Sequence, residues 1–109
     1  MLTQSFPSLA ITTETDSVYR GLDPHTPVVV SSTDGKKLFT INRVDLNDTV
    51  VWNPWAEKNK SMADLAPDDA YKKMICVESG SVSGWQTLEA GELWVGSQTI
   101  HASDSSSLL

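Results

Sequence analysis

Apolar and polar positions alternate along much of this chain, with a period of two. Residues 27–31 (Pro-Val-Val-Val-Ser) form a short apolar run closed by Ser32-Thr33-Asp34-Gly35. An Asp-Gly pair between two apolar runs is a turn signal. From Lys36 to Val44 the alternation puts Phe39, Ile41 and Arg43 on one face and Leu38, Thr40 and Asn42 on the other. Segments 27–31 and 36–44 are therefore expected to pair as a hairpin. Asp48 to Trp52 predicts the next strand, stopped by Asn53-Pro54 because proline has no N–H to give to a ladder. Alternation is lost from Glu57 to Leu65, where a loop or short helix is expected. Pro67-Asp68-Asp69 ahead of Ala70-Tyr71 reads as a helical first turn, with proline at its start and acids at its positive end. Met74 to Ser79 and Leu93 to His101 predict two more strands, joined through a Ser/Gly connection at 80–84 and a turn at 88–92. Residues 102–109 are expected to be a disordered tail.

About six short strands, one or two short helical turns and many turn residues point to an all-β, mostly antiparallel fold, a sandwich or a piece of one. No long helix separates the strands, which disfavours parallel βαβ units. A length of 109 residues allows one small domain or part of a larger one. Composition narrows the function classes. Eight Lys and Arg against 14 Asp and Glu leave a net charge of −6, which argues against nucleic-acid binding. The longest aliphatic run, Val28 to Val30, is far short of a membrane span, and Met1 to Ala10 has no secretory-signal pattern. The single cysteine, Cys76, cannot staple the chain, and no Cys/His spacing resembles a zinc site. A soluble, intracellular and by default cytoplasmic protein is expected.

The candidate chemistry rests on carboxylates and aromatics. On the strand from Met74, period two puts Met74, Cys76 and Glu78 on one face and Ile75 and Val77 on the other. A glutamate sharing a face with Met and Cys is open to partial desolvation, which raises its pKa toward general-base work. The competing reading is a strand-end glutamate turned to solvent. Asp16, among polar neighbours, reads by itself as a turn aspartate or a helix N-cap. Its convergence with Glu78, 62 positions later, is not visible in sequence. Trp52 and Trp55 bracket Asn53-Pro54, and Trp85 and Trp94 follow. Aromatic faces stack on sugar rings but more often fill cores. His25 lies in a proline-flanked loop and His101 at a strand end, both expected to be solvated. There is no Gly-rich phosphate loop and no Ser-His-Asp order.

Three segments together resemble a known family. They are Asp48 to Trp55 (Asp-Thr-Val-Val-Trp-Asn-Pro-Trp), then Lys58, Lys60 and Met62-Ala63-Asp64, then Tyr71 to Glu78 (Tyr-Lys-Lys-Met-Ile-Cys-Val-Glu). The resemblance is to the hexose-6-phosphate mutarotases, or glucose-6-phosphate 1-epimerases, of the aldose-1-epimerase superfamily. Glu14 to Tyr19 looks like that family's Glu-x-Asp-x-x-Tyr segment, and Leu88 to Trp94 with Gly96 to Ile100 is similar to its closing hairpin. The likeness runs from about Ile11 to His101.

The resemblance implies a galactose-mutarotase-type β-sandwich that interconverts the α and β anomers of a hexose 6-phosphate without metal or cofactor. It makes Glu78 the general base and Asp16 an active-site residue that binds substrate. It also implies that residues 1–109 are a single, C-terminal portion of a domain more than twice as long. The family's general-acid histidine and phosphate-gripping arginines would lie in the N-terminal part. His25, His101, Arg20 and Arg43 do not match them. Two expectations follow. The chain is an isomerase-type fragment, self-associating or pairing with a missing N-terminal half. Alternatively it is a non-catalytic carbohydrate-binding or assembly β module.

Overall fold

The computed structural model describes residues 8–103. Six strands are present: β1 (Thr15–Tyr19), β2 (Val28–Ser31), β3 (Lys37–Val44), β4 (Asp48–Asn53), β5 (Cys76–Gly80) and β6 (Ser97–Ala102). Helix α1 (Trp55–Ser61) and a 3-10 turn (Ala70–Lys73) lie between β4 and β5. The strands form two three-stranded sheets, ordered β1-β4-β5 and β2-β3-β6, and every pairing is antiparallel. The result is a partial β-sandwich, as the alternation and turn spacing led one to expect.

The β2–β3 hairpin forms where the apolar runs place it, with one irregularity between Val30 and Ser31. Its turn is held by the Ser32 amide on the Lys36 carbonyl (2.9 Å) and the Gly35 amide on the Ser32 carbonyl (3.0 Å). Gly35 sits at φ +89, which a side chain would oppose. Three residues, Asp45 to Asn47, then carry the chain from one sheet to the other. Asp45 takes φ +58, a conformation aspartate tolerates better than most residues.

Three expectations need correction. Asp16, read locally as a turn aspartate or cap, lies on strand β1, because β4 supplies a partner for every residue of Thr15–Tyr19. β5 begins at Cys76 and not Met74. The last strand begins at Ser97 and not Leu93, because its partner β3 ends at Val44, the residue opposite Ser97, and Gly96 beyond it is closed in by Leu46 and Trp94. A Cβ at position 96 would stand 2.7 Å from Leu46 Cδ2. At the other end β6 reaches Ala102, and the Ser103 amide donates to the Leu38 carbonyl at 3.0 Å. Ala102 therefore belongs to the sheet and Ser103 is bonded to its neighbouring strand, and the rest of the expected tail, 104–109, lies outside the described residues.

The core is thin. Among the described residues the buried hydrophobic side chains are Tyr19, Ile41 and Val51. The radius of gyration is 16.0 Å, against about 13 Å for a compact domain of this length. Apolar side chains in the 81–96 connection stand in solvent, with Trp85 100 % and Leu93 85 % exposed. No helix among the described residues is long and apolar enough to cross a membrane.

Candidate functional site

The central strand of the first sheet brings the two sequence candidates onto one face. Asp16 pairs with Trp52, which pairs with Cys76; Val18 pairs with Val50, which pairs with Glu78. Paired residues of antiparallel strands project to the same side, as do residues two apart on one strand. Asp16, Trp52 and Cys76 therefore form one row of a face, and Val18, Val50 and Glu78 form the next. Tyr19, Thr49, Val51 and Asn53 point the other way and are buried. The face with the carboxylates is the open one. Its Val18, Val50, Trp52 and Cys76 are half-buried, and Asp16 and Glu78 are exposed at diagonally opposite corners. Two strand spacings and two residue rises put their Cα atoms about 12 Å apart.

The expected partial desolvation of Glu78 does not occur. β5 is an outer strand, so Glu78 has a strand neighbour on one side only, and its residue is exposed. Met74, expected to share its face, lies before the strand. Its carbonyl accepts a hydrogen bond from Asn53 Nδ2 at 2.9 Å.

Buried asparagines organise the approach to this face. Asn53 Nδ2 also donates to the Tyr71 carbonyl (3.0 Å), and its Oδ1 accepts the Trp55 amide (2.8 Å). That last bond holds the Trp-Asn-Pro-Trp turn, in which Trp55 takes φ +61, a strained value for a bulky side chain. The Trp55 ring meets Tyr71 with centroids 4.9 Å apart. Asn59, 0 % exposed, donates to the carbonyls of Leu65 (3.1 Å) and Pro67 (3.3 Å) and accepts the Tyr71 amide (2.6 Å). On the surface, Lys58 pairs with Glu14 at 3.3 Å, an exposed contact of small energetic weight.

At the opposite end of β4, Asp48 is only 4 % exposed. Its Oδ1 accepts the Gly21 amide (3.1 Å), and its Oδ2 accepts the amides of Val82 and Ser83 (2.9 Å each). Burial pushes this carboxyl up, but the donated hydrogen bonds outweigh it and hold it below the usual carboxylate range. A depressed carboxyl contributes stability above its unfolded pKa and loses it as pH falls through the folded value. Urea unfolding midpoints should therefore fall as pH drops below about 4, and the fall should be shallower in Asp48→Asn. Equal acid slopes for the two proteins would refute the assignment. Asp48 also lines a cleft of about 510 Å³ with Gly21, Asn47, Ser83 and Trp94. Neither Asp16 nor Glu78 lines it.

The family model described as aldose 1-epimerase matches residues 2–101. This chain belongs to the aldose 1-epimerase family. It is 36 % identical over 104 residues to "Putative glucose-6-phosphate 1-epimerase" of Cenchrus ciliaris, covering 95 % of this chain and 31 % of that protein. It is 32 % identical over 83 residues to the protein of the same name from Escherichia coli (strain K12), covering 76 % of this chain and 26 % of that protein. The chain thus spans less than a third of the length of these relatives.

Within this epimerase-family chain, the remaining polar candidates lie elsewhere. His25 is in the connection from β1 to β2, and His101 is on β6 opposite Thr40; both are exposed. Arg43 is 5 % exposed and donates to the carbonyls of Leu46 (3.2 Å), Asp23 (2.7 Å) and Thr26 (2.8 Å). It fastens two connections to β3 and is not available to a ligand. The residues that sequence reasoning missed are Val18 and Val50, which floor the face, and Asp48, Asn53 and Asn59, which hold it. In the sequence Asp48 and Asn53 stand out as the bounds of a strand and as members of the Asp48–Trp55 motif, and neither is marked there as a holding residue. An acid opening an otherwise apolar strand was the signal that could have singled out Asp48.

Proposed function

We propose that the open face of the first sheet is part of a site that interconverts the α and β anomers of a hexose 6-phosphate. The observation that carries the proposal is the placement of Asp16 and Glu78 on one apolar-floored face by the β1-β4-β5 register. Family membership and the names of the two relatives support the reaction class and the sugar phosphate.

Glu78 is the base. Its carboxylate takes the proton of the anomeric hydroxyl as the C1–O5 bond breaks. The electron pair of that bond goes to O5, which is protonated by an acid, and C1 becomes an aldehyde. Rotation about C1–C2 and closure on the other carbonyl face, with the proton transfers reversed, give the second anomer. Asp16, at the opposite corner, accepts a hydrogen bond from a sugar hydroxyl and fixes the ring over Trp52 and the two valines, where orientation contributes to the rate. An aromatic face suits the apolar C–H side of a pyranose. The acid and the phosphate grip are assigned to the part of the domain that this chain does not span.

The experiment is anomer exchange of glucose 6-phosphate followed by polarimetry or magnetisation-transfer NMR with this chain. Acceleration over buffer is expected, smaller by about 10²–10⁴-fold than with a general acid in place; neither acceleration nor saturation transfer to the sugar would sink the proposal. One observation favours a second reading, a carbohydrate-binding or assembly module. Both histidines lie off the Asp16–Glu78 face, so no imidazole among the described residues serves as the acid. Saturation transfer without acceleration would select that reading.

Association also belongs to this proposal. The outer strands β1, β5, β2 and β6 each have one side unpaired within their sheets, and Trp85, Leu88, Leu93 and Val95 are exposed. Open edges and apolar surface both drive association. The chain alone should sediment as dimers or larger species at micromolar concentration, and the remainder of the domain, added in trans, should compete for the same surfaces. A monodisperse monomer with a cooperative melt would contradict this.

A further inference from the structure

The geometry points to Asp48 as the residue that sets the spacing between Asp16 and Glu78, a positioning role that deepens, and rests on, the reading of those two carboxylates as anchor and base. β1 and β5 flank β4, and both run antiparallel to it. They are therefore parallel to each other, and both finish at the end of the sheet where β4 begins with Asp48. β1 stops at Tyr19 and β5 at Gly80. Asp48 Oδ1 takes the amide of Gly21, two residues past β1, and Oδ2 takes the amides of Val82 and Ser83, two and three residues past β5. One buried side chain thus bonds the backbone leaving each outer strand.

This matters because β1 and β5 do not pair with each other. Each is held in register only through β4, and each is five residues long. A slip of either strand by one residue would turn its carboxylate to the other face, and a slip by two would move it by about 7 Å along the sheet. Charge-assisted bonds at a fixed point oppose both slips. Asn53 does part of the same work at the other end of β4, where its Nδ2 holds the carbonyls of Tyr71 and Met74 ahead of β5. It has no side-chain bond to the backbone of β1 among those described, so the link between the two carboxylate-bearing strands runs through Asp48.

The test uses the whole chain, isotope-labelled, as wild type, Asp48→Asn and Asp48→Ala. Asparagine keeps the size but turns an NH2 group toward amide donors, so the clamp loses one arm. Register is read from cross-strand NOEs between Asp16 and Trp52 and between Val50 and Glu78. Clamp opening is read from hydrogen exchange at the Gly21, Val82 and Ser83 amides, and catalysis from kcat and KM for glucose 6-phosphate per folded molecule. In Asp48→Asn the amides of the lost arm, and in Asp48→Ala all three, should exchange at least about tenfold faster, the NOE row of each released strand should weaken, and kcat should fall by about 10–10²-fold with a smaller change in KM. Fast amide exchange with both rows of NOEs intact would overturn the proposal and leave Asp48 a loop cap. If the alanine variant does not fold, the asparagine variant decides. If neither folds, wild type taken to acid pH, where Asp48 protonates, reads the same NOEs. Absence of acceleration by wild type would count against the catalytic reading alone, because the NOEs still decide whether Asp48 sets the spacing.

Discussion

Replacing Glu78 by glutamine should lower the rate of anomer exchange by about 10²–10⁴-fold, the usual contribution of a positioned general base. Glutamine preserves size and the ability to hydrogen-bond but cannot take a proton, so sugar binding measured by saturation transfer should change by no more than a few-fold. Asp16→Asn provides the contrast. An anchor that holds a hydroxyl acts on binding, so that variant should raise KM by about 10-fold or more, in line with about 1.5–3 kcal/mol for a hydrogen bond to a charged group. Near-normal turnover in Glu78→Gln would remove the base from this face. The exposure of Glu78 sharpens the test, because an exposed carboxylate has no folding role for the substitution to disturb. A loss of rate in that variant is therefore not a loss of structure, and a circular dichroism melt matching wild type would confirm it.

Asn59→Leu should cost about 3 kcal/mol or more of stability. Asn59 is wholly buried and satisfies two carbonyls and one amide of the segment between α1 and the 3-10 turn. Leucine fills a similar volume but leaves those groups without a partner, and each buried orphan costs about 1–3 kcal/mol. Native domains have only about 5–15 kcal/mol in hand, and this one has a thin core, so the variant should lose a large share of its stability. Lys60→Ala, one residue away and exposed, should stay within about 0.5 kcal/mol. Urea denaturation of the two variants checks the difference. Equal midpoints would show that the 55–75 segment is held by its apolar contacts, such as that of Trp55 with Tyr71.

The strands between 28 and 53 were legible because their signals are local. An Asp-Gly turn, a run of valines and an Asn-Pro stop each act within a few residues. β1 was illegible for the opposite reason. Thr15 to Tyr19 is polar at its start, and it becomes a strand only because Thr49 to Asn53 lies beside it. The start of β6 has no local signal because it is set by the end of its partner β3 at Val44, opposite Ser97 and more than fifty positions earlier. The helical stretch at Trp55–Ser61 had been read as a loop or short helix beginning at Glu57. Its first residue depends on the Asn53 side chain holding the Trp55 amide, a contact with no periodic signature.

By itself, then, the sequence determined the all-β class, the hairpin and, through its motifs, the family, and it nominated Asp16 and Glu78 as candidates. Those properties follow from residue type and short-range order, which a linear text carries in full. Only the tertiary structure decided that Asp16 and Glu78 share a face, that the face is open, that Glu78 is solvated, and that Asp48 joins the strands bearing them. Each of these depends on which strand lies beside which and in what register. Register is settled by contacts between residues tens of positions apart, and the energies of such contacts leave no local trace in the chain.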